Sequence, residues 1–269
     1  MGLSFNVLGS GSSGNATLVS DGDTHILVDA GLSGREIARR LEEYGLAPDK
    51  ISAIVISHDH WDHCRGVTPF VKNRDIPVFM TQKAFEKASE QVDSDKKPLI
   101  RSDAVKHRAI QPGECFDIGK IAVTCFSVPH DATEPLGFVL EKDGVKIGVA
   151  MDLGFMSNLV IERLKGCAGI ILESNHDVQM LKVGPYPWAL KQRVMSRSGH
   201  LSNDAVAKYL AEDFDGTAGH IALAHLSKQN NLPELAMLSA QKALEERAQG
   251  CRAKLELTYA DKISKTCRY

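Results

Sequence analysis

Short apolar runs separated by turn residues fill the first part of the chain. Residues 4–8, 16–20 and 25–28 each read as a strand, with the small-residue run 9–14 joining the first two and Asp21-Gly22 turning into the third. Residues 33–44 change period: Ile37, Leu41 and Tyr44 fall on one helical face, and Gly45 is placed to stop the helix. Residues 51–57 form a buried strand that runs into a histidine-rich segment. Residues 120–128, 136–141 and 145–151 predict three more strands, the last two joined by the turn Lys142-Asp143-Gly144. Residues 169–173 and 220–224 are apolar strands, and helices are expected over much of 185–197, 203–212 and 232–247. Strands, a helix, more strands and a second strand–helix alternation suit an α/β protein. The expected architecture is two packed sheets flanked by helices in an αββα sandwich. No Pro/Gly/Ser-rich linker divides the chain, so one domain is expected over residues 1–269.

Composition changes this picture little. The 269 residues are 43% hydrophobic and 25% charged, ordinary for a globular protein that can bury a sizeable core. A formal net charge of -2 leaves no global field for a polyanion, so a nucleic-acid site would have to be a local basic patch. The six cysteines form no CxxC pair. Cys115, Cys125 and Cys167 sit in or beside apolar runs, where free cysteine packs as a small hydrophobe. Reduced thiols, no basic and apolar leader at the start, and no apolar run long enough to span a bilayer give an expected cytoplasmic location without membrane partners.

The strongest chemical signal is Ser57-His58-Asp59-His60-Trp61-Asp62-His63, directly after a buried strand. In extended backbone His58 and His60 project to the same side. Asp62 and His63 lie where the chain should turn into a helix, so they can address a second, adjacent position. One short loop can thus serve two metals, and its imidazoles and carboxylates suit zinc, manganese or iron. The alternative is a solvated polar loop.

His58-x-His60-x-Asp62-His63 resembles the HxHxDH signature of the metallo-β-lactamase superfamily. The resemblance covers about residues 3–227 and implies further members of the site, each after an apolar run. Asp29 in LVDAG would be a buttress behind the ligands, which is also its plain structural reading. His130 in SVPHD, Asp152 in AMDLG and His225 in LAHLS would be ligands. The implied fold is the metallo-β-lactamase fold. The implied cofactor is two divalent metal ions, with His58, His60 and His130 on one, Asp62, His63 and His225 on the other, and Asp152 between them. A water between the metals, deprotonated to a bridging hydroxide, would be the nucleophile.

The fold hosts many reactions, so the rest of the site must separate them. No export signal supports a β-lactamase, too little chain follows His225 for the helical substrate domain of glyoxalase-II-like thioesterases, and Asp152 and His225 are too close for a large inserted cap. Arg197-Ser198-Gly199-His200-Leu201-Ser202-Asn203 resembles the tRNase-Z arrangement, in which a histidine before a helix protonates the leaving oxygen. By that resemblance His200 is the general acid, Glu173 at a strand end orients it, and Asp62 joins them among the catalytic candidates. A plain neighbour of a helix cap is the alternative for His200. The segment ESNHD at 173–177, with GPYPWALKQR, SGHLSN and the opening LGSGSSGNATLV, is similar to the YycJ/WalJ group, described as bacterial DNA exonucleases linked to mismatch repair.

Local basicity bears on the substrate. Between Lys182 and Lys208 the bases are Lys182, Lys191, Arg193, Arg197 and Lys208, against the single acid Asp204. Arg193 and Arg197 fall at i,i+4 on the expected helix, and Tyr186 and Trp188, each after a proline, could stack on a base. A solvated helix face and two core aromatics is the alternative. Residues 101–108 are a second basic run, expected in a loop beside the cleft. His176 lines the site or is merely solvated. The expected function is a metal-dependent phosphodiesterase, a 5′-to-3′ DNA exonuclease, with Lys191, Arg193, Arg197 and His176 as substrate contacts and DNA favoured over RNA. The competing expectations are a small-molecule hydrolase, such as a cyclic phosphodiesterase or thioesterase, and a non-enzymatic regulatory protein with structural metals.

Overall fold

A computed structural model describes residues 2–92, 96–247, 250–251 and 253–269. The strands are β1 (Ser4–Gly9), β2 (Ala16–Ser20), β3 (His25–Val28), β4 (Ala53–Val55), β5 (Pro77–Thr81), β6 (Lys106–Ile110), β7 (Cys115–Ile118), β8 (Ile121–Ser127), β9 (Leu136–Lys142), β10 (Val145–Ala150), β11 (Gly169–Glu173), β12 (His220–Ala224), β13 (Lys254–Leu257) and β14 (Cys267–Arg268). The α-helices are α1 (Gly34–Tyr44), α2 (Trp61–Cys64), α3 (Val67–Val71), α4 (Gln82–Glu90), α5 (Asn158–Leu164), α6 (Val178–Val183), α7 (Trp188–Val194), α8 (Asn203–Lys208) and α9 (Pro233–Glu245). Among the described residues the strands form two sheets, in the orders β14-β1-β2-β3-β4-β5-β6 and β13-β12-β11-β10-β9-β8-β7.

Alternation along the strands builds the layers. In β3, Ile26 and Val28 face the space between the sheets, while Leu27 faces outward onto α1 and α3. In β12, Ala222 and Ala224 point to the inter-sheet core, while Ile221 and Leu223 pack outward with α5, α8 and α9. Both faces of these strands are buried, so their sequences read as continuous apolar runs, as parallel strands under helices do. β3 to β6 pair in parallel, and so do β10 to β13. Their carboxyl ends, where ligand sites form in such sheets, carry the candidate residues.

Several local expectations hold for plain reasons. Ser33 caps α1 by accepting from Glu36 N, and Gly45 ends it at φ 93°, where a Cβ would be unfavourable. Asp143 and Gly144, both at positive φ, form the β9–β10 turn between the paired Lys142 and Val145. Other expectations are corrected. The helix over 185–197 is only α7, ending at Val194. The helix over 203–212 is α8 followed by a π-turn over Tyr209–Asp213. Residues 101–108 are no cleft loop: they make a short 3-10 turn and enter β6, the edge strand of the first sheet. Cys115 is exposed at the start of β7 instead of packed. The expected turn into a helix at Asp62 and His63 is α2, but the sequence pattern missed β5, β6, β7, β13 and β14 and helices α3 to α6. β14 returns from the second sheet to pair with β1, a closure no local pattern announces. No described helix is long and apolar enough to cross a membrane.

Candidate metal centre and cleft

Three of the candidate residues sit just past a strand in left-handed backbone, Asp29 (φ 61°) and His225 (φ 56°) one position beyond it and Asp152 (φ 55°) two. Such conformations cost of order 1–3 kcal/mol for non-glycine residues and collect at functional sites. Here they follow the ends of β3, β10 and β12. His58 and His60 follow β4, and His60 is the residue that caps α2, whose first turn holds Asp62 and His63.

The structure gathers these side chains into three overlapping groups. His58, His60, His130 and Asp152 form one; Asp62, His63 and His225 form another; Asp152, Glu173, His200 and His225 form the third. In each, one ligating atom per residue lies within 4.8 Å of the others. Asp152 stands between them: its Oδ2 is 3.2 Å from His58 Nε2 and 2.7 Å from His63 Nε2, and its Oδ1 is 2.6 Å from His225 Nδ1. His58 Nε2 and Asp152 Oδ1 are fully buried yet make no well-aligned hydrogen bond. Orphaned buried polar atoms are costly, and donors that crowd without aligning on one another are aimed at a common point between them.

Electrostatics agree. Burial holds His58, His60 and His130 below the ordinary histidine range, so their imidazoles are neutral, the form a metal takes. Burial opposes charge on His63 and His225 too, but Asp152, with Asp29 and Asp62 for one and Asp62 and Glu173 for the other, lifts both well above it, so these two hold a proton that a bound cation would displace. Burial would raise Asp152, yet His225 and His63 hold it well below the usual carboxylate range. A buried set of imidazole nitrogens and carboxylate oxygens with unspent lone pairs fits divalent metal cations.

The residues behind this set are tightly tied. Asp29 accepts from Ser57 N at 2.8 Å and contacts His63 Nδ1 at 2.8 Å, as expected of a buttress. Two residues of the opening small-residue loop were not singled out from the sequence. Asn15 Nδ2 lies 3.1 Å from His63 Nε2 and 3.3 Å from the Asp62 carbonyl, and its Oδ1 accepts from Ser10 Oγ and Gly11 N. Ser10 Oγ in turn accepts from His225 N at 2.8 Å. That loop therefore couples Asp62 and His63 to His225 across the two sheets; its only sequence signal was a conspicuous run of small polar residues. Asp59, the residue between His58 and His60, accepts from Thr133 N and Gln91 Nε2 and pins the loop after His130.

The groups open into a cleft of about 370 Å³, lined among others by Trp61, Tyr186, Arg193, His200 and Ser227. His200 Nδ1 is 2.6 Å from Glu173 Oε1, and Glu173 Oε2 accepts from Leu153 N and Leu201 N. Burial disfavours the His200 imidazolium, but the Glu173 and Asp152 carboxylates outweigh it and push its pKa up to about 10. The other substrate candidates scatter. Arg193 lines the cleft but is ion-paired with Asp131. Lys191 is buried, its ammonium donating to the Lys182 carbonyl at 2.7 Å. Arg197 lies beyond α7, not on its face, with its guanidinium 4.0 Å above the Phe155 ring. His176 is buried and off the cleft wall, its backbone bridging to Ser202, and burial lowers its pKa to about 4. Trp188 is exposed on α7, while Tyr186 joins the cleft wall.

Comparison with known proteins accords with this geometry. Residues 24–248 match the family model described as the beta-lactamase superfamily domain. The exodeoxyribonuclease YycJ of Bacillus anthracis is 35% identical over 264 residues, covering 97% of this chain and 96% of the relative. The exodeoxyribonuclease WalJ of Streptococcus pneumoniae is 34% identical over 239 residues, 89% of this chain and 87% of the relative. Among solved structures, the metallo-β-lactamase fold protein YhfI from Bacillus subtilis superposes with a TM-score of 0.73 at 17% identity, over 98% of this chain and 99% of that one. The chain belongs to the beta-lactamase superfamily domain family, and it is a hydrolase of the metallo-β-lactamase fold.

Proposed function

We propose that this hydrolase is a metal-dependent phosphodiesterase acting on DNA as a 5′-to-3′ exonuclease. The observation that carries the reading is His200: a histidine clamped through Nδ1 by a buried carboxylate and set in the same cleft wall as the ligand cluster. Relatives named exodeoxyribonucleases along nearly the whole chain support the choice of substrate. His58, His60, His130 and Asp152 would hold one divalent cation, and Asp62, His63, His225 and Asp152 a second. When bound, such cations neutralise a scissile phosphate and lower the pKa of water. The chain's own residues do the rest. Asp29 fixes the His63 ring through Nδ1, Asn15 holds the Asp62 carbonyl, and Ser10 fixes the His225 backbone. Glu173 accepts from His200 Nδ1 and so favours the imidazolium, whose other proton, on Nε2, passes to the departing oxygen and leaves a neutral ring. Asp152, Asp62 and Glu173 are held ionised by the surrounding histidines.

The test is a panel of end-labelled single-stranded and duplex DNA and RNA with Zn²⁺, Mn²⁺ or Fe²⁺. The reading expects mononucleotides released from 5′ ends of DNA; intact DNA under every metal would overturn it. One observation favours a small-molecule hydrolase instead. Among the described residues, Arg193 is the only lysine or arginine lining the cleft, and Asp131 already neutralises it.

A further inference from the structure

A polyanion substrate usually meets a basic groove, yet this cleft offers one neutralised arginine. What it offers instead is aromatic surface. Trp61 lies between the candidate ligands His60 and Asp62, as the first residue of α2. Asp62 and His63 turn into the ligand cluster, while the Trp61 indole stays 43% exposed in the cleft wall. Tryptophan is usually highly buried, and a core role does not account for this one. The side chain is nonetheless held. The Arg65 guanidinium stands 5.8 Å from the ring centroid, within cation–π range, and is itself fixed by the carbonyls of Gly31 and Ser13, at 2.7 Å each. That contact favours one position of the indole before a flat partner arrives. Tyr186 supplies a second, half-buried ring to the same cavity. At about 370 Å³ the cavity is at the small end of ligand clefts, suited to one nucleotide and not to a base pair.

Resting on the nuclease reading, we infer that Trp61 is the stacking platform for the base of the terminal nucleotide. The substrate is then an unpaired strand end, grasped by its base more than by its phosphates. Stacking tolerates any base, since each has a π-face, and is worth about 5- to 100-fold per base.

The experiment compares kcat/KM for oligodeoxynucleotides that carry either a base or an abasic site at the terminal position, in the native protein and in Trp61→Ala and Trp61→Phe. The ratio is taken within one protein, so altered metal occupancy beside His60 and Asp62 cancels. The native protein is expected to favour the base-bearing end about 5- to 100-fold. Trp61→Phe should keep most of that preference, and Trp61→Ala should bring it close to one. A ratio near one in the native protein, or one unchanged in Trp61→Ala, overturns the stacking role while leaving the nuclease reading standing. No cleavage of either substrate by the native protein removes the nuclease reading itself. As a second readout, Trp188→Phe leaves Trp61 as the only tryptophan of the two. Its fluorescence should be quenched by a short single-stranded oligonucleotide, and equal quenching by a fully abasic strand would count against stacking.

Discussion

Replacing His200 by alanine separates chemistry from binding. In the structure its Nδ1 is fixed 2.6 Å from a fully buried carboxylate, Glu173, and lies 3.3 Å from Asp152 Oδ1. With its pKa raised to about 10, the ring is an imidazolium throughout the neutral range and reaches the cleft with a proton to give. A general acid contributes about 10²–10⁴-fold, or roughly 3–5 kcal/mol of barrier. His200→Ala should therefore slow single-turnover cleavage of an end-labelled oligonucleotide by that factor, with metal content unchanged. Thymidine 5′-(p-nitrophenyl phosphate) has a leaving group that departs without a proton, so its turnover should fall much less, under about tenfold. Glu173→Gln adds the pH arm. A raised pKa keeps the proton on below about 10 and loses it above, so the native rate should drop on the alkaline side. Without the Glu173 charge that limb should move down toward the ordinary histidine value. Equal losses on the natural and activated substrates in His200→Ala would refute the general-acid role, as would an alkaline limb that Glu173→Gln does not move.

Asn15→Ala strips acceptors from Ser10 Oγ and Gly11 N inside the fold. At about 1–3 kcal/mol for each stranded donor it should lower the Tm clearly, and metal titration should show affinity weakened about 10- to 100-fold. A Cβ on Gly31 would lie 1.6 Å from the Asp62 carbonyl oxygen. Gly31→Ala should displace α2 and abolish tight metal binding, measured by metal content after dialysis, while a conservative change at an exposed loop glycine such as Gly113 should not. Lys191→Met should destabilise the fold yet leave the salt dependence of single-strand binding unchanged, because its ammonium serves the Lys182 carbonyl. Loss of a true phosphate contact would reduce the slope of log K against log salt by about 0.7. Arg193→Ala should change that slope little, since Asp131 has already neutralised the guanidinium.

The same residues show where sequence suffices. The strands that bury both faces were legible because their apolar content needs no partner to be recognised, and α1 was legible because Ser33, Ile37, Leu41 and Gly45 carry cap, face and stop within a dozen positions. The ligand candidates were legible in two ways: His58, His60, Asp62 and His63 are crowded on one loop, while the distant His130, Asp152 and His225 followed only from the family resemblance that this loop carries. Helices α4, α5 and α6 were missed although Thr81, Ser157 and Asp177 cap them locally, because each is short; other missed elements have no local signal at all. β14 exists only because β1 offers it an edge, and the half-exposed β6 and β7 have too few buried positions to show a period. Charge said less, for a related reason. Lys191, Arg193 and Arg197 look alike as a basic cluster, but a side chain's direction is set by where its helix ends and what it meets. One ammonium turned into the fold, one guanidinium met Asp131, and one settled on Phe155. The chain by itself determined which atoms can bind metal, because that is a property of residue type. Only the tertiary structure decided how Ser10 and Asn15 brace them and that the cleft wall is aromatic more than basic. Those facts depend on left-handed strand ends and on contacts between residues as far apart as Ser10 and His225, which no window of sequence contains.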